Sequence, residues 1–139
     1  MEEKIIELEK LCKDLSSVKI SDAQNLLKSI LGKLMNKVDN YIGDYPTFIE
    51  PVYLKENVKI GDDVLLGPNV YVGSNSTISD YVEISNTIIL DNVKIGNNFK
   101  LENCIVCANS DFEFNNLKID NSILAGKAAS KEEITIIKF

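Results

Sequence analysis

The segment VKIGDDVLLGPNVYV, residues 58–72, repeats one short motif with a step of six residues. In each repeat, two aliphatic residues stand two positions apart, and a glycine-containing or polar corner follows them. The pairs continue on both sides of this segment, as Val52/Leu54, Val58/Ile60, Val64/Leu66, Val70/Val72, Ser76/Ile78, Val82/Ile84 and Ile88/Leu90. A fixed short period is typical of a solenoid, in which each repeat buries its apolar face only against its neighbours.

The six-residue period also excludes the commonest alternatives. An amphipathic helix needs apolar residues three and four positions apart, and a hairpin strand alternates only until a turn reverses it. Residues i and i+2 of a strand share one side, so each pair predicts an inward core position, and Lys59 and Glu83 point outward. The corners are rich in Gly, Asn, Asp and Ser, which tolerate tight or left-handed backbone.

After Ile88/Leu90 the predicted steps become uneven. The inward pairs that we expect there are Val93/Ile95, Phe99/Leu101, Ile105/Cys107, Phe112/Phe114, Leu117/Ile119 and Ile123/Ala125. This series predicts about four coils over residues 52–126, with irregular corners at residues 91–92 and 108–111. Irregular corners host function more often than regular strands do. The competing interpretation is a corner that differs only in length.

The first 42 residues have a helical pattern instead. Ile5, Leu8, Cys12 and Leu15 keep helical spacing, and Ser21 with Gln24 predicts a capping box at the start of a second helix. The apolar face of that helix consists of Leu27, Ile30, Leu31, Leu34 and Val38. We expect an α-helical hairpin over residues 1–42 that caps the coil, packs along its side, or meets the same helices of other subunits. Residues 43–51 are then a connector, and residues 127–139 a C-terminal cap or tail that is either helix or strand.

Composition excludes several classes of function. No stretch reaches the roughly eighteen apolar residues of a membrane span, and no signal peptide is visible. The formal charge is −6 and no basic face is clustered, which argues against nucleic acid as a partner. The odd count of three cysteines predicts a reducing, cytoplasmic location. Cys104 and Cys107 form a single Cys-x-x-Cys without any histidine in the chain, so we expect no metal site.

The chain contains no histidine, and its fifteen basic residues are all lysines. It therefore lacks both the usual proton carrier near neutral pH and the planar guanidinium clamp for phosphates and carboxylates. Acid–base chemistry would have to use a tuned carboxylate, lysine or tyrosine. Asp91, Asp111 and Glu113 are the carboxylates near irregular corners, and a solvated turn residue is the competing interpretation of each.

The repeats resemble the hexapeptide family, whose chains coil as left-handed parallel β-helices with three strands in each turn. The left hand comes from this resemblance alone, because parallel crossovers are ordinarily right-handed. The predicted fold is mainly β: a left-handed parallel β-helix of about four coils preceded by an N-terminal α-helical hairpin. The resemblance also implies a trimer, and we expect Leu65, Tyr71, Tyr81 and Ile89 to offer outward apolar surface for it.

A closer resemblance covers residues 48–107, which look like the C-terminal half of sugar-1-phosphate nucleotidyltransferases, especially in ISNTIILDNVKIG, residues 84–96. In that family an N-terminal Rossmann-like domain transfers the nucleotidyl group, and nothing in this sequence matches that domain. Some members use the β-helix as an acetyltransferase, with a histidine at the position of Asn97 and a tyrosine at that of Lys100. Their following small-residue run is replaced here by residues 108–111, so the acetyltransferase site looks dismantled.

The sequence therefore favours a non-catalytic hexapeptide β-helix module without a cofactor, an assembly or regulatory subunit related to sugar-1-phosphate nucleotidyltransferases. We expect it to form a homo-oligomer, preferably a trimer, and to meet a separate nucleotidyltransferase subunit. The alternative is an acyl-CoA-dependent acetyltransferase acting on a sugar or sugar nucleotide, with acetyl-CoA as cofactor and Asp91, Asn97 and Asp111 as candidate site residues. A small-molecule binding module without a partner enzyme is the third hypothesis.

Overall fold

The computed structural model describes residues 1–139. The chain forms two α-helices, α1 (Glu2–Cys12) and α2 (Ile20–Gly32), and two short 3₁₀ turns at Leu15–Ser17 and Lys131–Glu133. The strands are β1 (Tyr41–Ile42), β2 (Thr47–Phe48), β3 (Val52–Leu54), β4 (Val58–Ile60), β5 (Leu65–Leu66), β6 (Val70–Val72), β7 (Thr77–Ile78), β8 (Glu83–Ser85), β9 (Thr87–Ile89), β10 (Lys94–Ile95), β11 (Phe99–Val106), β12 (Asp111–Phe112), β13 (Leu117–Ala125), β14 (Lys127–Ala128) and β15 (Thr135–Lys138).

The strands stack in three parallel columns, which form the three faces of the coil. Face one consists of β1, β4, β7, β10, β12 and β14, in that order. Face two consists of β2, β5, β8 and the first halves of β11 and β13, and face three of β3, β6, β9 and the second halves of β11 and β13. Thr77 pairs with Lys59 in the turn before it and with Lys94 in the turn after it, so one turn takes 18 or 17 residues.

The protein is a mainly β, parallel β-helix of about five turns with two N-terminal helices. This is one turn more than the sequence predicted, because the coil begins at Tyr41 rather than at Val52. Residues 43–51, expected as a connector, contain β2, whose Thr47 and Phe48 pair with Leu65 and Leu66. The left-handed coiling stays a prediction of the hexapeptide resemblance.

Left-handed backbone at nearly every corner allows the chain to turn tightly. All thirteen non-glycine residues with positive φ fall into three corner columns: Tyr45, Asp63, Tyr81, Asn98 and Asn116; Asn57, Asn75, Asn92 and Asn109; and Asn69, Asn86, Asn103 and Asn121. Asparagine is one of the few residue types other than glycine that visits this conformation routinely. The side-chain amide of Asn103 donates to Oδ1 of Asn121 one turn above at 2.6 Å, so neighbouring corners are also hydrogen-bonded.

The inside of the coil is filled mainly by aliphatic residues, together with Phe99 and Phe112. The buried polar residues are Ser76, Thr87, Ser110 and Ser122. The Ser76 hydroxyl donates to the Leu90 carbonyl and accepts from the Val93 amide, both at 3.1 Å. At the C-terminal end, Ile134 enters the core and β15 pairs antiparallel with β13. The tail, which the sequence left open between helix and strand, therefore ends in a strand.

From β9 onward, the inward pairs on face three differ from the prediction by one residue. The core of the coil contains Ile89, Cys104, Val106 and Leu124, whereas Ile88, Leu90, Ile105, Cys107 and Ile123 belong to a second apolar cluster outside it. The step shortens where a single asparagine joins face two to face three, at Asn86 between β8 and β9. The expected irregular corners at residues 91–92 and 108–111 are therefore wrong. A one-residue shift in a strand exchanges its two faces, which explains why every later pair on face three moved.

The helical hairpin packs along face three and forms that second cluster. Its members from the helices are Ile5, Leu8, Ala23, Leu27 and Ile30, and they meet Tyr71, Ile88, Leu90, Ile105, Cys107 and Ile123 on the coil. Of the three placements that the sequence left open, the structure has the side-packed one. The capping-box prediction is wrong, because α2 begins at Ile20 and Lys19 occupies the N-cap without a side-chain cap bond. Neither helix combines the length and the apolarity that crossing a membrane requires.

Candidate functional site

The three faces of the coil differ in how much surface they leave open. Face three is covered by the helical hairpin, so Tyr71, expected on an outward apolar surface, is only 1% exposed. Ile89 was expected there too, but it points into the core and is fully buried. Leu65 is half-buried and Tyr81 is exposed. A site on the coil must therefore lie on face one, on face two or at their corners.

Asn97 lies at the corner between face one and face two and connects three turns of the coil. Its side-chain Oδ1 accepts a hydrogen bond from the backbone amide of Asp80 at 2.9 Å. Its own backbone amide donates to Oδ1 of Asn115 at 3.1 Å. Its carbonyl accepts from the Asn116 amide at 2.9 Å. Asn97 thus joins the turn below to the turn above, and its acceptor oxygen is occupied.

Asp91 lies at the corner between face three and face one and also connects neighbouring turns of the coil. Its carboxylate accepts a hydrogen bond from the Ser74 amide at 2.8 Å, and its carbonyl accepts from the Asn109 amide at 3.0 Å. Gly73, the residue before Ser74, has no side chain, and a Cβ there would collide with this carboxylate. Asp91 therefore holds one corner against the next.

Asp111 lies in β12 on face one, between two lysines of neighbouring strands. It pairs in register with Lys94 on one side and with Lys127 on the other, but neither ammonium forms an ion pair with it. Its Oδ1 is buried and has no hydrogen-bond partner. Together with Asn92 and Asn109, these three residues line a shallow groove of about 300 Å³.

The three candidate residues are not assembled into one site. Asp91 and Asn97 stand at two different corners and are hydrogen-bonded to backbone amides, whereas Asp111 has a buried carboxylate oxygen without a partner. In the run of residues 108–111, Ser110 is buried, and its hydroxyl donates to the Cys107 carbonyl at 2.7 Å. The structure thus shows no nucleophile and base in hydrogen-bond contact at these positions.

Cys104 and Cys107 are buried thiols on different sides of the coil wall, and Cys12 on α1 is half-buried. Burial raises the pKa of the Cys104 thiol, inside the core, to about 11. A hydrogen-bond contact with the Cys12 thiol and burial raise the pKa of Cys107, which lies under the helices. A thiol held protonated is a poor nucleophile and a poor metal ligand. No group of three or more histidine, cysteine, aspartate or glutamate side chains is arranged to hold a metal.

The comparison with family models identifies the family of this coil. Residues 48–139 match the family described as the GMPPB C-terminal domain, which is well over half of the chain. The chain belongs to this family. The match covers β3 to β15 and begins in β2, so it includes nearly all of the coil and its C-terminal tail. The resemblance to nucleotidyltransferases of the sugar-1-phosphate type is confirmed by it.

Solved structures of acetyltransferases also resemble the chain, at low identity. A hexapeptide-repeat acetyltransferase from Vibrio cholerae, in complex with acetyl coenzyme A, is 16% identical with a TM-score of 0.32, and the match covers 99% of this chain and 87% of that protein. A putative acetyltransferase from Bacillus cereus is 17% identical with a TM-score of 0.31, covering 73% and 84%. TM-scores this low carry no argument about activity. No curated protein matches the sequence.

Proposed function

We propose that this protein is a non-catalytic β-helix module, an assembly or regulatory subunit for a sugar-1-phosphate nucleotidyltransferase. Membership of the GMPPB C-terminal domain family supports the link to nucleotidyltransferases. One fold hosts many functions, so family membership does not establish an activity. The proposal therefore rests on the hydrogen bonds of the corner residues of the coil.

The bonding of Asn97 is the observation that carries the proposal. The resemblance to acetyltransferase members of the family implies a histidine at this position, where it would serve as a base. Asn97 cannot accept a proton near neutral pH, and its Oδ1 already accepts from the Asp80 amide. The residue thus contributes to the stacking of turns, as the other corner asparagines do.

The carboxylates do not replace the missing histidine. A general base has to lie within hydrogen-bond reach of the proton that it removes, and its basic oxygen has to be available. The Asp91 carboxylate is bonded to the Ser74 amide, and the Asp111 carboxylate lies between Lys94 and Lys127. Neither carboxylate is hydrogen-bonded to a side chain that could share a proton with it. Both aspartates therefore suit a structural role better than proton transfer.

We propose further that the module assembles as a cytoplasmic homotrimer through the open faces of the coil. The hairpin occupies face three, which leaves faces one and two for contacts with other subunits. Leu65 on face two and Tyr81 at the corner between these faces supply accessible apolar surface there. The three cysteines, all free thiols, agree with a reducing compartment.

Sedimentation equilibrium tests the assembly directly. We expect a mass three times that of the 15.5 kDa chain, and we expect the double variant Leu65→Glu/Tyr81→Glu to sediment as a folded monomer. The matched control is Ile6→Glu, which places the same charge on the exposed side of α1 and should leave the trimer intact. A monomeric unsubstituted chain would contradict the proposal.

The regulatory role has a separate test with an enzyme. A sugar-1-phosphate nucleotidyltransferase catalytic subunit is assayed for nucleotidyl transfer with and without the purified chain. We expect the chain to bind the enzyme and to change its rate or its oligomeric state. An acyl-CoA-dependent acetyltransferase acting on a sugar or sugar nucleotide is the alternative function, and acetyl transfer by the chain alone would favour it.

A further inference from the structure

Face two and the C-terminal tail line an open groove with a volume of about 650 Å³. Small-molecule sites commonly have volumes of about 300–1,000 Å³, so the groove is large enough for a metabolite. None of Asp91, Asn97 and Asp111 lines it. The groove is therefore separate from the positions that the family resemblance indicates.

Lysines are concentrated in this groove although the chain as a whole is acidic. Four lysines line it, at positions 100, 118, 131 and 138, together with three carboxylates, at positions 83, 102 and 120. The whole chain has 15 lysines against 21 carboxylates. Of these four lysines, only Lys138 forms an ion pair, with Asp120 at 3.9 Å. Three ammonium groups of the groove thus have no carboxylate partner.

The strand register also places like charges side by side. Lys100 on β11 lies in register between Glu83 on β8 and Lys118 on β13, and two residues further along β11 and β13 Glu102 is the partner of Asp120. Like charges directly opposite each other on adjacent strands destabilise a sheet. A ligand with an anionic group beside the lysines and hydrogen-bond donors beside the carboxylates would relieve both repulsions.

We propose that this groove binds a small organic phosphate that also carries hydroxyl groups. Lys100 and Lys118 hold the phosphate through charge-assisted hydrogen bonds, as lysines do where no arginine is available. Glu83 and Glu102 accept hydrogen bonds from the hydroxyl groups. Leu65 and Ile136 supply apolar lining for the carbon skeleton. This binding site goes beyond the proposed assembly function, and it shares one residue, Leu65, with the surface proposed for assembly.

Nuclear magnetic resonance titration of the full chain tests the proposal. The probe is ribose 5-phosphate. Ribose and inorganic phosphate, the two parts of that molecule, are titrated as controls at the same ionic strength. We expect ribose 5-phosphate to shift the amide resonances of residues 83–85, 100–102 and 118–120 in a saturable way. Ribose and inorganic phosphate should each bind at least about tenfold more weakly, because each uses half of the contacts.

A pair of double variants assigns the binding to the groove. Lys100→Gln/Lys118→Gln should weaken the binding of ribose 5-phosphate by about tenfold or more. Lys59→Gln/Lys94→Gln, which changes two lysines on face one, should leave this affinity unchanged. Unchanged amide spectra outside the substituted strands show that each variant is folded. The proposal is overturned by resonance shifts on another face, by no saturable shift at all, or by equal loss in both double variants. Binding of inorganic phosphate as tight as that of ribose 5-phosphate would overturn the role of the carboxylates.

Discussion

Leu8→Ala tests the packing of the helical hairpin on face three. Leu8 is fully buried between α1 and the coil, in the cluster that contains Ile88 and Ile105. The substitution removes three carbon atoms, worth about 0.8 kcal/mol each by transfer out of water, and leaves a cavity that adds to this loss. We expect the free energy of unfolding to fall by about 2–5 kcal/mol, a large share of a typical total of about 5–15 kcal/mol.

Ile6→Ala on the same helix is the matched control. Ile6 is 48% exposed, so its replacement removes little buried surface, and alanine favours the helix slightly more than isoleucine does. We expect the unfolding free energy of this variant to stay within about 0.5 kcal/mol of the unsubstituted chain.

Urea unfolding, followed by circular dichroism, measures both variants. With a urea dependence of about 1–3 kcal/mol per molar, Leu8→Ala should lower the midpoint by roughly 1 M or more. The difference between the variants should be the same at two protein concentrations about a hundredfold apart, because the contact lies within one chain. Equal midpoints for Leu8→Ala and Ile6→Ala would refute the side-packed hairpin. A difference that grows with dilution would assign the contact to another subunit instead.

Three further predictions concern the coil itself. Ile89→Glu should unfold the protein because it buries an unpaired charge in the core, whereas Leu65→Glu should keep the native circular dichroism spectrum. Asn103→Val should cost about 1–2 kcal/mol in urea unfolding, since φ is +55° there, and Asn103→Gly should cost less. Because burial raises the pKa of Cys104 to about 11, unfolding between pH 9 and pH 11 releases a proton, and stability falls as the pH rises. Cys104→Ala should make that fall shallower, and an unchanged slope would contradict the assignment.

The sequence was sufficient to predict the coil wherever only one side of a strand is apolar. On faces one and two, charged or polar outward residues such as Lys59 and Glu83 mark the inward pairs beside them, and these pairs were predicted correctly except on β12. There the register of Asp111 with Lys94 places Ser110 and Phe112 inward, whereas Phe112/Phe114 was predicted. On face three the run Ile88-Ile89-Leu90 is apolar on both sides, so alternation cannot fix which residue points inward. The same ambiguity in residues 104–107 explains why Ile105/Cys107 was predicted, whereas Cys104 and Val106 point inward.

The apolar outer side of face three was itself a signal for the hairpin. Residues such as Ile88 and Ile105 need a cover on the outside of the coil, and the amphipathic helices need an apolar surface to bury. Pairing the apolar outer side of face three with the apolar face of the helices would have predicted side packing. The groove on face two was not predictable in the same way, because it depends on the path of the C-terminal tail beside Lys100 and Lys118.

The candidate site was only partly predictable for a related reason. Sequence spacing singled out Asp91 and Asp111, and the family resemblance singled out Asn97, but neither shows which partners these side chains have. The backbone amides that bond to Asp91 and Asn97 belong to residues 17 positions away, one turn below. Hydrogen bonds between turns appear only when the register of the coil is known.

Turnover of acetyl-CoA by the purified chain tests the central claim, the absence of catalysis, most directly. Loss of the thioester is followed with sugars, sugar phosphates and sugar nucleotides as acceptors, for the unsubstituted chain and for Asp91→Asn and Asp111→Asn. The non-catalytic account predicts no loss above the rate without protein in any of them. A protein-dependent rate that one of these substitutions abolishes, in a variant that remains folded, would contradict the account and establish an acetyltransferase.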